Sequence, residues 1–507
     1  MSGVGLRVCV ALACAVPLAA QPMRAERQAH ARLMELRAEL LDGWLAAKPE
    51  ARKACVDFLA SADDADPFAC MASALALLRG ETPSVFDRVR AGTVILALPE
   101  VVDDDRFHEL HVTIQALRLL PADLPEIVFD VTLLDATGKQ IASATIDKGT
   151  TPDELMRYRA TAPLPLNGAA DDRYRAVVGL RLGGEASRPL GEVPVIVDRR
   201  FPKRAELLPM LIDGTAPRVE HARSVYAGLA KASDLDRSVL QACTLRVERP
   251  YSGEPRLPLA DPLHDLACAE AVLKSLQEGV HALTALHGTN LIALPLTAAP
   301  GDGAGFSDRI FATVDPDQLA PRDGDDRRPL VVVVPGAPIW TRAGHRPDSP
   351  QTLDPAWATA ALRRVGFDDG THVLVVLESP GRFRSPTGAV LDALDRLREL
   401  APGREVVLIG EREGAFAASR VALDPRSSVQ RLVVVDGGPV TRRELEQRED
   451  LHVAVVLSHG LPANGSLLLV AQAASATGRV RVLEVGAIPW CIALPAAAPA
   501  ILRCLDE

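Results

Sequence analysis

Six short apolar runs alternate with amphipathic segments over the last 220 or so residues, and this alternation constrains the fold more than any other feature of the sequence. The runs are PLVVVV (329–334), HVLVVL (372–377), EVVLIG (405–410), RLVVVD (431–436), HVAVVL (452–457) and RVRVLEV (479–485). Continuous apolar runs are typical of strands buried on both faces, and the segments between them have helical periodicity. We therefore expect residues 288–507 to form an α/β domain with a mostly parallel sheet.

One strand-to-helix junction in this region has the spacing of a known catalytic turn. In EVVLIG-EREG-AFAASRVAL, Gly410 and Gly414 flank a three-residue turn with Arg412 at its centre. The arrangement resembles the α/β-hydrolase superfamily, in particular its esterase-like and prolyl-oligopeptidase-like domains. In that superfamily the turn is G-x-S-x-G, and its central serine is the nucleophile. Arginine cannot take this role, because it stays cationic and has no lone pair to offer.

The resemblance also implies positions for a catalytic acid and a catalytic histidine, and neither residue is present there. His459 and Gly460 match the HGxxD frame that follows the penultimate strand, but the acid position is then Ala463. After the last strand, where the histidine is expected, the sequence reads GAIPW with Ile488 at its centre. Three absences together predict a pseudo-hydrolase, a domain that has kept the fold and lost hydrolysis.

A domain that lacks the catalytic residues can still have the binding pocket, and the resemblance indicates where this pocket would lie. PGAPIW (335–340) occupies the place of the oxyanion loop, in which backbone N–H groups bind the ligand. The residues expected around the pocket are Gly336, Ala337, Arg412, Glu413, Asp436 and His459. An arginine there favours an anionic ligand such as a carboxylate. We therefore expect a binding or scaffold protein whose partner is a small molecule or another protein.

The alternative is an active secreted serine hydrolase, an esterase or peptidase, with a relocated site. Its candidate residues are Ser385, Ser458 with His459, and Asp436 as a displaced acid. Ser458 and His459 are adjacent, so in a strand their side chains point to opposite faces and do not readily pair with each other.

Neither a cofactor nor a metal is expected. No G-x-G-x-x-G follows an early strand, so a dinucleotide site has little support. His108, Glu109 and His111 are close in sequence but lack the HExxH spacing of a zinc site. The net charge is −10 and no run of Lys or Arg occurs, which makes nucleic acid an unexpected partner.

The rest of the chain changes periodicity three times, so the whole protein is expected to be multidomain, α+β followed by α/β. Residues 24–100 have helical spacing, and 104–201 contain short alternating runs typical of a β-sandwich. Asp135–Gly138 joins two of these runs as a hairpin turn would. Residues 203–286 return to helical spacing and form a linker region.

The first 22 residues have the pattern of a secretory signal peptide. Arg7 precedes the apolar stretch VCVALACAVPLAA, and small residues end it before Gln21. We expect an exported protein that is periplasmic, secreted or associated with the cell envelope, without a later transmembrane span. An uncleaved anchor and a lipoprotein signal at Cys14 are the alternatives.

Six cysteines remain after the signal segment, and they fall into three pairs that are local in sequence. Disulfides 55–70, 243–268 and 491–504, formed by Cys55, Cys70, Cys243, Cys268, Cys491 and Cys504, would suit an exported protein. Buried thiols are the alternative, since six cysteines allow fifteen pairings.

Overall fold

The structure is a computed structural model of the 507-residue chain. It describes residues 20–61, 66–98, 101–102, 109–116, 127–147, 159–166, 169–198, 233, 236, 239–240, 243, 262–286, 292–296, 310–319, 327–335, 355–367, 370–378, 386–438, 440–459 and 464–506. The chain forms two compact units, the first from Met1–Leu36, Met71–Ser73 and Thr82–Arg199, the second from Arg37–Cys70, Ala74–Glu81 and Arg200–Glu507.

Four helices begin the described chain, as the periodicity of this region predicts. They are α1 (Ala20–Ala46), α2 (Pro49–Ser61), α3 (Pro67–Arg79) and α4 (Val85–Ala91). Asp66 caps α3 by accepting hydrogen bonds from the N–H groups of Phe68 and Ala69. Residues of these helices belong to both units. Most of the expected signal peptide, residues 1–19, lies outside the described residues.

Two sheets make up most of the first unit. Their strands are β1 (Thr93–Leu98), β2 (Val101–Val102), β3 (Glu109–Ala116), β4 (Ile127–Leu134), β5 (Gln140–Asp147), β6 (Arg159–Pro165), β7 (Asp172–Leu182) and β8 (Arg188–Val197). The sheet orders are β1-β3-β6 and β2-β8-β7-β4-β5, antiparallel except for the β2–β8 pair. β1 lies within the range expected to be helical.

A single hydrophobic core joins the inward residues of both sheets. Burial alternates along β4, and Phe129, Val112 and Ala162 belong to the same cluster although they come from different sheets. The hairpin turn forms where it was predicted, since Gly138 N–H donates to the Asp135 carbonyl. These features agree with the expected sandwich in its two-sheet, mostly antiparallel architecture.

Helices and strands alternate through the second unit. After α5 (Pro262–Gln277) and a 3₁₀ turn (Ala282–Leu286), its strands are β9 (Ile292–Pro295), β10 (Phe311–Val314), β11 (Leu330–Val334), β12 (Val373–Glu378), β13 (Val406–Glu411), β14 (Arg431–Val435), β15 (His452–His459) and β16 (Val480–Ala487). The helices between and after them are α6 (Pro316–Leu319), α7 (Pro355–Leu362), α8 (Pro386–Leu400), α9 (Glu413–Leu423), α10 (Arg442–Leu445), α11 (Asn464–Ser475), α12 (Ala493–Ala496) and α13 (Ala498–Asp506). A π-helical turn (Arg363–Phe367) follows α7, and a 3₁₀ turn (Trp490–Ile492) follows β16.

All eight strands form one sheet in the order β16-β15-β14-β13-β11-β12-β10-β9. Strands β11 to β16 are parallel, and β9 and β10 pair antiparallel at one edge. Every residue of β11 and β13 is buried, as continuous apolar runs require. The α/β architecture and the six strands expected from the apolar runs are confirmed.

The structure also bears on the cysteines and on the residues considered for a metal site. The six cysteines are thiols in the structure, so the three local disulfides stay a prediction. Glu109 and His111 are both exposed on β3, and His108 lies outside the described residues. Across the described part of the chain, no group of three or more potential metal-binding side chains occurs, and no helix is long and apolar enough to cross a membrane.

Candidate functional site

The turn between β13 and α9 has the backbone of a strained strand-to-helix elbow. β13 ends at Glu411, α9 begins at Glu413, and Arg412 between them has φ 51° and ψ −113°. Its backbone N–H donates to the Val435 carbonyl of β14 at 2.9 Å, and its carbonyl accepts from Ala415 N–H at 3.1 Å. A positive φ in a residue with a Cβ is unfavourable, so the surrounding structure must hold Arg412 in place.

Gly410 and Gly414 permit this elbow, as the motif predicts. A Cβ on Gly410 would lie 2.5 Å from Ala415 Cα, where α9 turns back over the strand. A Cβ on Gly414 would lie 2.2 Å from the Val334 carbonyl oxygen at the end of β11. Any larger residue would therefore force α9 away from the sheet. The resemblance to the G-x-S-x-G turn had indicated both positions.

Asp436, at the end of the neighbouring strand, is the second non-glycine residue with a positive φ among the described residues, at 52°. It is buried, and its carboxylate accepts two hydrogen bonds from Ser458 near the end of β15. Ser458 N–H donates to Oδ1 and Ser458 Oγ donates to Oδ2, each at 2.7 Å. The sequence placed Asp436 and Ser458 at this edge of the sheet, but it did not predict their contact.

Both strained residues therefore lie where parallel strands β13 and β14 end. In open α/β sheets, ligands bind outside the carboxyl ends of the strands. Gly437 packs directly against the elbow, since a Cβ there would lie 2.4 Å from the Arg412 carbonyl oxygen. The backbones of the two turns thus support each other.

Glu411 ties the elbow to the C-terminal helices, a role that the sequence did not reveal. Its side chain is buried, and Oε1 accepts a hydrogen bond from Leu494 N–H at 3.1 Å, in the first turn of α12. Glu413 begins α9, but its side chain is outside the described part of the structure. Glu411 therefore connects the elbow to α12.

Cys491 lies in the 3₁₀ turn after β16, the region where the resemblance places a histidine. Its thiol is buried, and burial raises its pKa to about 12, although the charges of Arg37 and Arg412 act to lower it. Arg37 Nε on α1 donates a hydrogen bond to the Cys491 carbonyl. Ile488, just before this turn, is buried and apolar. Since Arg37 is about 450 residues away in sequence, no local pattern could have predicted this contact.

Other predicted site residues fall outside the described part of the chain. Gly336 and Ala337 of the expected oxyanion loop, Ala463 and Ser385 are among them. His459 ends β15, and only its backbone is described. The described site therefore consists of Arg412, Asp436 and Ser458 at the strand ends, with Glu411 and Cys491 beside the elbow.

Comparisons with known proteins find solved structures similar to part of the chain but no match by sequence. No protein-family model and no curated protein matches the chain. Solved structures similar to it include Est1E from Butyrivibrio proteoclasticus, at 11% identity over 42% of this chain and 99% of that one, with a TM-score of 0.28. Dienelactone hydrolase from Anabaena variabilis has 11% identity over 43% and 95%, with a TM-score of 0.28. An alpha-beta serine hydrolase homologue from Coxiella burnetii has 16% identity over 41% and 100%, with a TM-score of 0.29.

Proposed function

We propose that the second unit is an α/β-hydrolase-like module that does not hydrolyse its ligand but binds it, and that the protein is exported. The observation that carries this proposal is Arg412, a cationic side chain on an elbow whose strained backbone is intact. Acyl transfer needs an oxygen or sulfur nucleophile together with a base, and arginine provides neither. The N-terminal pattern of residues 1–22 supports export.

A small anionic ligand fits the chemistry of this edge. A guanidinium group forms two parallel hydrogen bonds with a carboxylate or a phosphate. The half-buried Arg412 lies at the carboxyl end of β13, the side on which open α/β sheets bind ligands. Residues held in strained backbone conformations are concentrated at ligand sites, which supports binding at this position.

The contact between Ser458 and Asp436 bears on the alternative of a relocated hydrolase site. Ser458 is 3% exposed, and its hydroxyl donates to a carboxylate that also holds the backbone of the same residue. A nucleophilic serine needs access to substrate and a base that takes its proton in the reaction. The buried geometry supports a structural role, in which Asp436 fixes the end of β15.

Labelling with a fluorophosphonate probe tests the loss of catalysis. The purified protein should remain unlabelled under conditions in which a known serine hydrolase reacts fully. Labelling that disappears in Ser385→Ala or in Ser458→Ala would show that a relocated nucleophile is active, and the proposal would be wrong.

Thermal denaturation in the presence of acetate or inorganic phosphate tests the binding role. A ligand that binds only the folded state raises the midpoint of unfolding. We expect an increase that saturates with anion concentration, that is lost in Arg412→Met and that persists in Arg420→Met. Arg420 is a suitable control because it is exposed on the same helix, α9. Equal increases in both variants, or none in the unaltered protein, would contradict an anion site at Arg412.

A further inference from the structure

The last part of helix α1, residues 37–46, is packed into the second unit. Three of its large side chains are buried: Leu40, Leu41 and Trp44. Arg37 donates a hydrogen bond to the Cys491 carbonyl in the 3₁₀ turn after β16. Asp42 forms an ion pair with Arg364 of the π-helical turn at 2.6 Å. Two polar contacts therefore attach this part of α1 to the unit at two separate elements.

The contact from Arg37 reaches the backbone of the turn after β16. Arg37 is 7% exposed, and a cation is costly to bury unless hydrogen bonds replace the lost water. Cys491, whose carbonyl accepts the bond, is the middle residue of the turn Trp490–Ile492. Arg37 therefore holds this turn from the side of α1.

The elbow holds the same segment of chain at a second point. The buried Glu411 accepts a hydrogen bond from the N–H of Leu494 at 3.1 Å, and Leu494 lies three residues after Cys491. Glu411 directly precedes Arg412, whose N–H donates to the Val435 carbonyl at 2.9 Å. A movement of the turn would therefore be transmitted through Glu411 to the residue at the centre of the elbow.

We propose that Arg37 is a positioning residue for the anion site at Arg412, and that the docking of α1 thereby controls the affinity of this site. Arg37 fixes the turn after β16, and Glu411 transmits the position of the turn to the elbow. The elbow is sensitive to such support, because a strained backbone conformation persists only where the surrounding structure holds it. The effect on affinity rests on the proposed binding function, whereas the coupling of α1 to the elbow does not need a ligand.

Hydrogen exchange of the full chain without ligand tests the coupling. Arg37→Met removes the donor and keeps most of the side-chain length. We expect the amides of Leu494 and Arg412 to exchange about tenfold faster in this variant, because a hydrogen bond from a charged group is lost. The amide of Leu408, in the middle of β13, reports any general loss of stability and should be affected less.

Two further variants separate the route through the turn from the docking of α1 in general. Asp42→Asn weakens the other contact of α1, with Arg364, and should leave the exchange of Leu494 and Arg412 unchanged. Arg37→Lys keeps the charge but loses the planar Nε–H donor, so it should give an intermediate increase. Unchanged exchange at Leu494 and Arg412 in both variants of Arg37, an equal increase at Leu408, or the same increase in Asp42→Asn would overturn the coupling.

The affinity for acetate, obtained from the dependence of the unfolding midpoint on acetate concentration, tests the control of the site. Arg37→Met should weaken binding several-fold, Arg37→Lys should restore part of the affinity, and Asp42→Asn should bind as the unaltered protein does. Unchanged affinity in Arg37→Met would overturn the positioning role. If the unaltered protein bound no anion, the proposed function and the control of affinity would both be wrong, and hydrogen exchange would still decide whether α1 is coupled to the elbow.

Discussion

At the elbow, the backbone of a single residue has a conformation that its side chain does not favour. Arg412 has φ 51° and ψ −113°, and such strained residues cost about 1–3 kcal/mol each. The fold stabilises this conformation through the Arg412–Val435 hydrogen bond and the close contact of Gly437 with Arg412. The elbow geometry is thus maintained by backbone contacts with an arginine at its centre.

Replacing Arg412 by glycine should stabilise the protein relative to replacement by alanine. Alanine keeps the Cβ and therefore the strain, whereas glycine removes it at an entropic cost of about 0.4–1 kcal/mol. We expect Arg412→Gly to have a free energy of unfolding about 1 kcal/mol higher than that of Arg412→Ala. Urea denaturation of the two variants measures this difference. Equal stability, or a less stable glycine variant, would show that the backbone at residue 412 is not strained.

The family motif predicted some residues of the site and missed others. Gly410, Arg412 and Gly414 were found from the motif, because a tight turn imposes a fixed spacing. The positive φ of Asp436 and its contact with Ser458 could not be found in this way, since they depend on how neighbouring strands end.

At the level of elements, α9 lies so close to β11 that only glycine fits at their contact. A Cβ on Gly414 would lie 2.2 Å from the Val334 carbonyl oxygen and 2.6 Å from that of Pro335. Gly414→Ala should therefore lower the free energy of unfolding by about 1–3 kcal/mol. Gly388→Ala is the matched control, because Gly388 lies in α8 with open space around it, and alanine should stabilise that helix by about 0.5–1 kcal/mol. In chemical denaturation, we expect the two variants to change the free energy of unfolding in opposite directions. An unchanged free energy of unfolding in Gly414→Ala would contradict the close approach of α9 to β11.

Arg448 joins the end of α9 to the residues that precede β14. Its guanidinium donates to the carbonyl groups of Ala422, Asp424 and Val429, and it also pairs with Asp450. Arg448 is 6% exposed, so its removal leaves several carbonyl groups without their donor in a place that water reaches poorly.

Arg448→Met should accordingly lower the free energy of unfolding by about 2–4 kcal/mol. Arg442→Met serves as the control, because Arg442 and Glu446 form an exposed pair worth at most about 0.5 kcal/mol. Denaturant midpoints of both variants provide the measurement. If the free energy of unfolding fell by similar amounts in the two variants, the buried contacts of Arg448 would not be what connects α9 to the residues before β14.

Over the whole molecule, carboxylates paired with arginines make stability depend on pH in both units. In the first unit, Arg181 donates to both carboxylate oxygens of Asp130 at 2.9 Å and lowers the pKa of that carboxyl group. In the second, Arg448 lowers the pKa of Asp450. A lowered folded-state pKa stabilises the protein above the unfolded value of about 3.9, and this stabilisation is lost as pH falls towards the folded value.

Hydrogen exchange of β4 and β7 between about pH 7 and pH 3 measures this effect for Asp130. Acid should lower the free energy of opening of these strands, and Asp130→Asn should reduce this dependence. Because Asp130 is partly exposed, we expect a modest effect. Arg181→Met should also reduce the pH dependence of strand opening. The double variant Asp130→Asn, Arg181→Met should reduce it no further than Asp130→Asn alone. An unchanged pH dependence in Asp130→Asn would contradict the role of this pair.

On the same scale, hydrophobic periodicity predicted the α/β unit and the strands of the first unit, because burial on one or both faces leaves a local pattern. It did not predict that α1 reaches the turn after β16 through the hydrogen bond from Arg37 to the Cys491 carbonyl. Such contacts join residues hundreds of positions apart, and they depend on packing that no short window of sequence contains.

We propose that the second unit has a hydrolase-like fold without hydrolase chemistry, and measuring ester hydrolysis is the direct test of this proposal. The rate of p-nitrophenyl acetate hydrolysis should equal the uncatalysed rate for the unaltered protein and also for Arg412→Ser. A serine introduced at the elbow should remain inactive, because the resemblance places Ala463 at the acid position and Ile488 at the histidine position. Saturable turnover by either protein would show that a working acid and base are present, and it would contradict the claim.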